Sequence, residues 1–277
     1  GADVDDVVLG IAAQQGNQGY NLGRLCTYTA GLPESVGGMT IDRMCASGLV
    51  AMASAAKSIM TGEHRVAVAG GLESISLTQN KHKNSYRAQS KSVLEAAPAA
   101  YIQMIETAEI VAQRYGISRA AQDEYSLRSQ QRVAAAQKAG LFDDEIAPLT
   151  SITQLFDKAG NLTGTEAVTL LRDEGNRADT TLESLAALKP VWKNGQWVAE
   201  GRCITAGNAS QLSDGASASV LMSRAEAARR GITPLGTYRG MAVAGCRADE
   251  MGIGPVLAIP KLLAQTGLAM SDIGLWE

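Results

Sequence analysis

The sequence predicts a layered α/β protein, in which strands and helices alternate along the chain. The segment 65–71 is short and apolar, as expected for a strand that is buried on both faces. The segment before it places Leu49, Met52 and Ile59 on one face of a helix, and Gly62 follows as a candidate C-cap. This alternation, with 29 glycines among 277 residues, favours closely packed α/β layers.

Capping residues and periodicity place the other elements. Ser118 is a good N-cap for a long helix that Gly140 ends, and Pro255 suits the first turn of a helix. The predicted strands are residues 5–10, 39–41, 65–71, 216–222 and 236–244, with a strand-like run near 163–171 and the opening of a last strand at 272–277. The predicted helices are residues 25–30, 47–61, 104–115, 119–139, 180–189, 224–230 and 254–264.

The middle of the chain departs from this rhythm and is predicted to be an inserted subdomain. We expect one domain from residues 1–76 and 210–235, an insertion over 77–209, and the beginning of a further domain over 236–277. The insertion starts with a polar segment that carries four scattered cations: Lys81, Lys83, Arg87 and Lys91. A solvated surface is favoured over a binding patch for this segment, because charge runs are usually hydrated.

Composition excludes several classes of function. A net charge of −3 without a basic run argues against nucleic acid as a partner, and no apolar stretch approaches the roughly 20 residues of a membrane span. The four cysteines are far apart and form no CxxC pair, so neither a metal site nor a disulfide framework is expected. The interpretation is a cytoplasmic protein without membrane insertion and without a metal.

Cys45 lies where the alternating pattern of a strand changes to the spacing of a helix. Unpaired N–H groups and the helix dipole at that position stabilise a thiolate, and the small residues of "CASGL" leave room for a substrate. A buried, inert cysteine remains the competing interpretation, since most free cysteines are core residues. A cysteine nucleophile usually needs a base, and neither His64 nor His82 has a convincing spacing.

Six segments, taken in order, resemble the thiolase family. They are "DRMCASGL" (42–49), "VAGGLESIS" (68–76), "TAEIVAQRYGISRAAQDEYSLRSQQRVAAAQ" (107–137), "RDEGNRADTTLESLAALKP" (172–190), "TAGNASQLSDGASA" (205–218) and "MGIGPVLAIPKLL" (251–263). The resemblance covers nearly all of the chain. It implies a layered α/β/α/β/α fold with a mixed five-stranded sheet and a large CoA-binding loop subdomain.

The resemblance implies an acyltransferase of fatty acid β-oxidation type, with Cys45 as the nucleophile. Such an enzyme cleaves a 3-oxoacyl-CoA with CoA, or condenses acyl-CoA with acetyl-CoA in reverse, through a thioester on the cysteine. Coenzyme A and acyl-CoA are then substrates, and no permanently bound cofactor is expected. A homodimer or homotetramer is also implied.

The family's CoA-binding residues correspond by position to residues of the insertion. Arg177 and Trp192 match residues near the adenine end, Ser184 matches a nearby serine, and Ala206 and Ser210 match residues beside the pantetheine arm. Met104 matches a residue of the acyl pocket in some members. Its neighbour is Gln103, where short-chain biosynthetic members often carry histidine, so the sequence is closer to broad 3-ketoacyl-CoA thiolases.

Several family motifs have no counterpart in these 277 residues. Members continue with Asn-Glu-Ala-Phe, with a Gly-His-Pro histidine that activates the nucleophile, and with a second cysteine in Cys-x-Gly. The family's opening strand with its Arg-Thr-Pro is also absent. We therefore expect a chain truncated at both ends that does not, taken alone, turn over at a thiolase's rate. Two alternatives remain: a condensing enzyme of ketoacyl-synthase type, and a non-catalytic CoA-binding or assembly module.

Overall fold

The computed structural model describes all 277 residues, which form two compact units. The first unit comprises Gly1–Tyr101 and Leu212–Glu277, and the second comprises Ile102–Gln211. The six strands are β1 (Asp6–Gly10), β2 (Met39–Ile41), β3 (Val66–Glu73), β4 (Leu149–Phe156), β5 (Leu162–Leu170) and β6 (Gly215–Met222). The helices are α1 (Leu22–Thr29), α2 (Ser47–Met60), α3 (Ile75–Thr78), α4 (Lys91–Ala96), α5 (Met104–Arg114), α6 (Arg119–Lys138), α7 (Leu182–Ala186), α8 (Arg224–Arg229) and α9 (Gly254–Thr266).

The first unit is built on a mixed four-stranded sheet with the order β2-β1-β3-β6. Strands β2, β1 and β3 are parallel, and Gly10 is in register with both Ile41 and Gly71. Strand β6 pairs antiparallel with β3 along its whole length, from Val66 opposite Met222 to Glu73 opposite Gly215. The carboxyl ends of the three parallel strands therefore lie along one edge of the sheet.

Two apolar clusters cover the two faces of this sheet. Val8 packs with Ala51 and Ala55 of α2 on one face, and its neighbours Val7 and Leu9 pack on the other. Helix α1 packs against the second cluster through the partly buried Leu22 and Cys26. Because successive strand residues point to opposite faces, β1 is buried on both sides, as its apolar sequence predicts.

The second unit contains α5, α6, α7 and a hairpin of β4 and β5. Ser118 caps α6 by accepting a hydrogen bond from the Ala121 N–H at 3.2 Å, which explains why the helix begins at Arg119. The hairpin strands are antiparallel, with Leu149 opposite Leu170, and nearly all of their residues are exposed. None of the helices in either unit combines the length and hydropathy of a membrane span.

Several predicted elements differ from the structure. Residues 236–244 and 272–277 form no strand, and the sheet holds four strands where five were expected. A strand exists only when a neighbouring strand pairs with it, and no strand of this chain pairs with either segment. The strand-like run of the insertion is β5, and its partner β4 is absent from the predicted elements.

Candidate active site

Cys45 is exposed and lies two residues before the start of α2. It follows β2, which ends at Ile41, and so lies past the carboxyl end of one of the parallel strands. The N-cap residue of α2 is Ala46, and no side chain caps this end of the helix. The Ser47 N–H donates to the Met44 carbonyl at 3.1 Å, so the N–H groups of Gly48 and Leu49 are the first-turn donors left unpaired near the thiol.

Close backbone contacts hold the start of α2 against the sheet. A Cβ atom on Gly10 would lie 2.2 Å from the Ser47 carbonyl carbon and 2.4 Å from the Gly48 nitrogen. A Cβ atom on Gly71 would lie 3.4 Å from the Gly48 Cα. Glycine at the end of β1 and two residues before the end of β3 thus lets the start of α2 approach the carboxyl edge of the sheet, where α/β proteins bind ligands.

The turn that carries Cys45 is held by its own side chains. Met44 has a φ of 50°, a left-handed conformation that is rare for a large side chain. Its N–H donates to the Asp42 Oδ1 at 2.7 Å, and its carbonyl accepts from the Ser47 Oγ at 2.6 Å. The same Ser47 Oγ accepts from the Arg43 N–H at 2.7 Å. A strained backbone conformation persists only where surrounding hydrogen bonds maintain it, and such conformations cluster at functional sites.

No hydrogen bond joins either histidine to this thiol. His64 follows the C-terminal end of α2, whereas Cys45 precedes its N-terminal end. A helix of 14 residues is about 21 Å long at 1.5 Å per residue, far beyond hydrogen-bonding distance. His82 is exposed, and its N–H donates to the Asn80 Oδ1 in the polar segment.

The other cysteines differ from Cys45 in surroundings. Cys26 packs against the second apolar cluster, and burial raises the pKa of its thiol. Burial, followed by the nearby Glu109 carboxylate, raises the pKa of the Cys203 thiol. Cys246 is exposed, as Cys45 is, but precedes no α-helix directly. Exposure together with the start of an α-helix therefore distinguishes Cys45, since Cys246 precedes only the 3₁₀-helix Ala248–Ile253.

In the second unit, two buried carboxylates of α5 organise the chain that follows Pro190. The Glu106 Oε1 accepts from the N–H groups of Trp197 and Val198 at 2.5 and 2.9 Å. The Glu109 carboxylate accepts from three consecutive N–H groups, those of residues 202–204, at 2.7 to 3.2 Å. The two glutamates are 2% and 4% exposed, so these hydrogen bonds offset the cost of burying their charges.

A second network holds the loop that contains Ala206 and Ser210. The Asn208 side chain donates to the Asp123 Oδ1 and to the Cys203 carbonyl, each at 2.9 Å, and accepts from the Thr205 N–H at 2.8 Å. Asp123 is fixed in turn by the Arg119 Nε at 2.8 and 2.9 Å. Arg119 also donates to the Leu185 and Leu188 carbonyls at the end of α7. The loop is therefore connected to α6 and, through Arg119, to α7.

The loop forms one wall of a cleft of about 520 Å³, within the range of small-molecule sites. The opposite wall is the face of α6 that carries Ser126, Gln130 and Gln137. Gln130 accepts hydrogen bonds from the Asn176 side chain and from the Arg177 N–H, at 2.9 and 2.8 Å. The segment 175–176 and residues 207–211 therefore meet α6 around the same cleft.

The six predicted CoA-binding residues all belong to the second unit, but they do not all line the cleft. Ser210 lines the cleft, whereas the exposed Arg177 adjoins it only through its backbone contact with Gln130. Ser184 completes the capping box of α7 with Thr181. Trp192 is half-buried, and its indole N–H donates to the Val198 carbonyl. Ala206 is an exposed loop residue, and Met104 is the exposed first residue of α5.

Glu109, Asp123 and Asn208 are the residues that the sequence prediction missed. Each is polar and buried or half-buried, and each is bonded to backbone or side chains more than 80 residues away along the chain. The helical spacing of Glu106 and Glu109 places both on one face of α5. Only the fold shows that this face is covered, because helix spacing alone does not distinguish it from a solvated acidic face.

Taken together, the first unit is an α/β layer with an exposed cysteine before a helix, an arrangement found in cysteine-dependent enzymes. Residues 1–225 match the family described as thiolase, N-terminal domain, and residues 232–277 match thiolase, C-terminal domain. The chain belongs to the thiolase family, whose named relatives include acyltransferases, and the predicted α/β class and family are confirmed.

Individual relatives agree with this assignment. A 3-ketoacyl-CoA thiolase of Bacillus subtilis is 40% identical over 276 residues, which are 99% of this chain and 68% of the relative. A beta-ketoadipyl-CoA thiolase of Pseudomonas putida is also 40% identical, with the same coverage. The crystal structure of the Bacillus anthracis acetyl-CoA acetyltransferase superposes with a TM-score of 0.79 at 38% identity, over 99% of this chain and 67% of that one.

Proposed function

We propose that this chain takes part in thiolase acyl transfer on 3-oxoacyl-CoA thioesters, with Cys45 as the acyl-accepting nucleophile. The observation that carries the proposal is the position of Cys45, exposed at the uncapped start of α2 within a thiolase-family fold. A helix start stabilises a thiolate through unpaired N–H groups and the helix dipole. No other cysteine of the chain combines these features with exposure.

In the proposed thiolysis, the Cys45 thiolate attacks the C3 carbonyl carbon of the 3-oxoacyl-CoA. The C2–C3 bond then breaks, its electron pair remains on C2, and a proton delivered to C2 releases acetyl-CoA. The shortened acyl group stays on Cys45 as a thioester. The thiol of a second CoA, after loss of its proton, attacks this thioester and regenerates the Cys45 thiolate.

The backbone supports this chemistry at the carbonyl oxygen. A negative charge develops on that oxygen while the thiolate adds, and N–H groups already directed at it lower the barrier. The Cys45 N–H, with the first turn of α2, supplies such donors in our proposal. The side chains of Asp42 and Ser47 keep the Met44 turn in place, so these donors need little rearrangement during the reaction.

We propose that residues of the second unit bind coenzyme A. Arg177 supplies positive charge for the phosphates, and Trp192 offers an aromatic surface for the adenine. Ala206 and Ser210 present backbone and hydroxyl groups to the amides of the pantetheine arm. Ser184 and Met104 complete the proposed contacts, at the adenine end and the acyl end respectively.

The names of the relatives define the proposed substrate class. The Bacillus subtilis relative is named for 3-ketoacyl-CoA and the Pseudomonas putida relative for beta-ketoadipyl-CoA. Both names describe a CoA thioester with a ketone at C3, which is the group that the mechanism requires. We propose this class for the chain, with fatty acid β-oxidation as its setting, a cytoplasmic location and a homo-oligomeric state.

Acylation of Cys45 can be tested directly by intact-protein mass spectrometry. Incubation with acetyl-CoA or acetoacetyl-CoA is expected to add one acetyl group, and Cys45→Ser is expected to abolish the adduct. Cys246→Ser is the matched control because Cys246 is also exposed, and it should leave the adduct unchanged. An adduct that survives Cys45→Ser, or no adduct on the unaltered chain, would contradict the assignment and favour a non-catalytic module.

A further inference from the structure

Hydrogen bonds between its own residues stabilise the loop of residues 205–210. Thr205 is fully buried, and its Oγ1 accepts from the N–H groups of Gly207 and Asn208 at 3.2 and 3.3 Å. Its N–H donates to the Asn208 Oδ1, so Thr205 and Asn208 bond each other in both directions. These bonds fix the backbone from Thr205 to Asn208 as a tight turn.

The turn is attached to α6 by a single side chain. The Asn208 amide donates both to Asp123 and to the Cys203 carbonyl, and Asp123 accepts from Arg119. Asp123 is 2% exposed, and a buried carboxylate with such charge-assisted bonds is a rigid attachment point. Glu109 holds residues 202–204 immediately before the turn.

Two exposed residues flank this anchored asparagine. Ala206 lies inside the turn, and Ser210 follows two residues after Asn208 at the wall of the cleft. The Ser210 Oγ makes one hydrogen bond, to the carbonyl of the next residue, Gln211, at 3.2 Å. No hydrogen bond from a distant residue fixes this hydroxyl. The direction in which Ser210 faces therefore depends on the anchoring of the preceding turn.

We infer that Asn208, held by Asp123, is a positioning residue for coenzyme A, acting through Ser210. This inference rests on the proposed function, in which Ser210 contacts the pantetheine arm. Asn208 itself is half-buried with its amide groups occupied by Asp123, Cys203 and Thr205, so its effect on the ligand is indirect. Preorganisation of the loop lowers the conformational entropy lost on binding, and thereby tightens binding.

The test is a double-mutant cycle on the affinity for coenzyme A, measured by isothermal titration calorimetry with the 277-residue chain. Asn208→Ala is expected to raise the Kd about tenfold, a change of about 1.4 kcal/mol. If Asn208 acts through Ser210, the same substitution in a Ser210→Ala background should raise the Kd about twofold or less. Equal effects of Asn208→Ala in the two backgrounds would overturn the inference.

Control variants separate positioning from loss of structure. Asn161→Ala removes an asparagine of the β4–β5 turn whose side chain bonds Asp157, and it should leave the Kd unchanged. Asn208→Ser covers the case in which Asn208→Ala unfolds the loop. Its hydroxyl can still accept from the Thr205 N–H but is too short to reach Asp123, so it should weaken coenzyme A binding while the loop stays folded. If the unaltered chain binds no coenzyme A, the proposed function itself is refuted. If the unaltered chain binds coenzyme A and Asn208→Ala has the same Kd, only the positioning role is refuted.

Discussion

At the scale of single residues, the four cysteines show how environment separates thiols of identical chemistry. Cys45 and Cys246 are exposed, whereas Cys26 and Cys203 are partly buried. Exposure allows an electrophile to approach, and the start of α2 adds N–H groups that stabilise negative charge only at Cys45. Sequence position suggested this difference, since Cys45 alone stands between a strand and a helix.

The partly buried thiols are expected to react slowly and with a shifted pH dependence. Burial raises the pKa of Cys26 and Cys203, so at any given pH a smaller fraction of each is the reactive thiolate. Their iodoacetamide alkylation rates should continue to rise at pH values where N-acetylcysteine has already reached its plateau. Peptide mass spectrometry after timed quenching resolves each site.

The unfolded chain is the control for this effect. In denaturant, both thiols lose their surroundings and should follow the pH profile of N-acetylcysteine. The same profile in the folded protein would contradict the assigned burial. The measurement is independent of acyl transfer, because neither cysteine is part of the proposed mechanism.

At the scale of elements, the junction of β1 and α2 determines where the nucleophile lies. Gly10→Ala would place a Cβ atom 2.2 Å from the Ser47 carbonyl carbon, so the start of α2 must move away from the sheet. Overpacking of this kind costs about 1–3 kcal/mol. We expect a lower free energy of unfolding in urea and a slower acetylation of Cys45 by acetyl-CoA.

Gly164→Ala is the matched control, since Gly164 is also a strand glycine but no atom lies within 4 Å of the position that its methyl group would occupy. It should leave the acetylation rate unchanged. The free energy of unfolding should rise by at most about 0.5–1 kcal/mol, because alanine loses less backbone freedom on folding than glycine. Equal behaviour of the two variants would show that the approach of α2 to β1 does not determine the reactivity of Cys45.

Local signals in the sequence were sufficient for most helices. Ser118 caps α6, which begins where that residue predicts, and α8 begins at the predicted Arg224, where Ser223 caps it. Pro255 in the first turn marks the start of α9 in the same way. Capping depends on a few neighbouring residues, so it can be recognised without knowledge of the fold.

Strands and buried polar networks were less predictable because they depend on distant residues. Residues 236–244 were predicted as a strand but have no pairing partner, whereas β4 is a strand because β5 pairs with it. Asn208 belongs to the thiolase-like segment 205–218, yet its partner Asp123 is 85 residues away. Such contacts become visible only in the folded chain.

At the scale of the whole molecule, the proposed roles divide between the two units. Cys45 belongs to the first unit, and the six proposed CoA-binding residues belong to the second. No hydrogen bond joins a histidine to Cys45: His64 lies beyond the far end of α2, His82 lies in the polar segment of the first unit, and the second unit contains no histidine. Acylation by a reactive thioester can occur without such a base, but repeated turnover requires proton transfer at each step.

We therefore expect these 277 residues to form the acyl-enzyme and to turn over far more slowly than a longer relative such as the Bacillus subtilis 3-ketoacyl-CoA thiolase. Thiolysis of acetoacetyl-CoA, followed by loss of its absorbance, should be slower than in a chimera that continues after Glu277 with the corresponding part of the Bacillus subtilis relative. General acid–base groups contribute about 10²–10⁴-fold, which is the difference expected between the two proteins. The chimera with Cys45→Ala controls for activity of the added segment. Equal rates for the chain and the chimera would mean that the 277 residues contain a proton-transfer group that their geometry does not indicate.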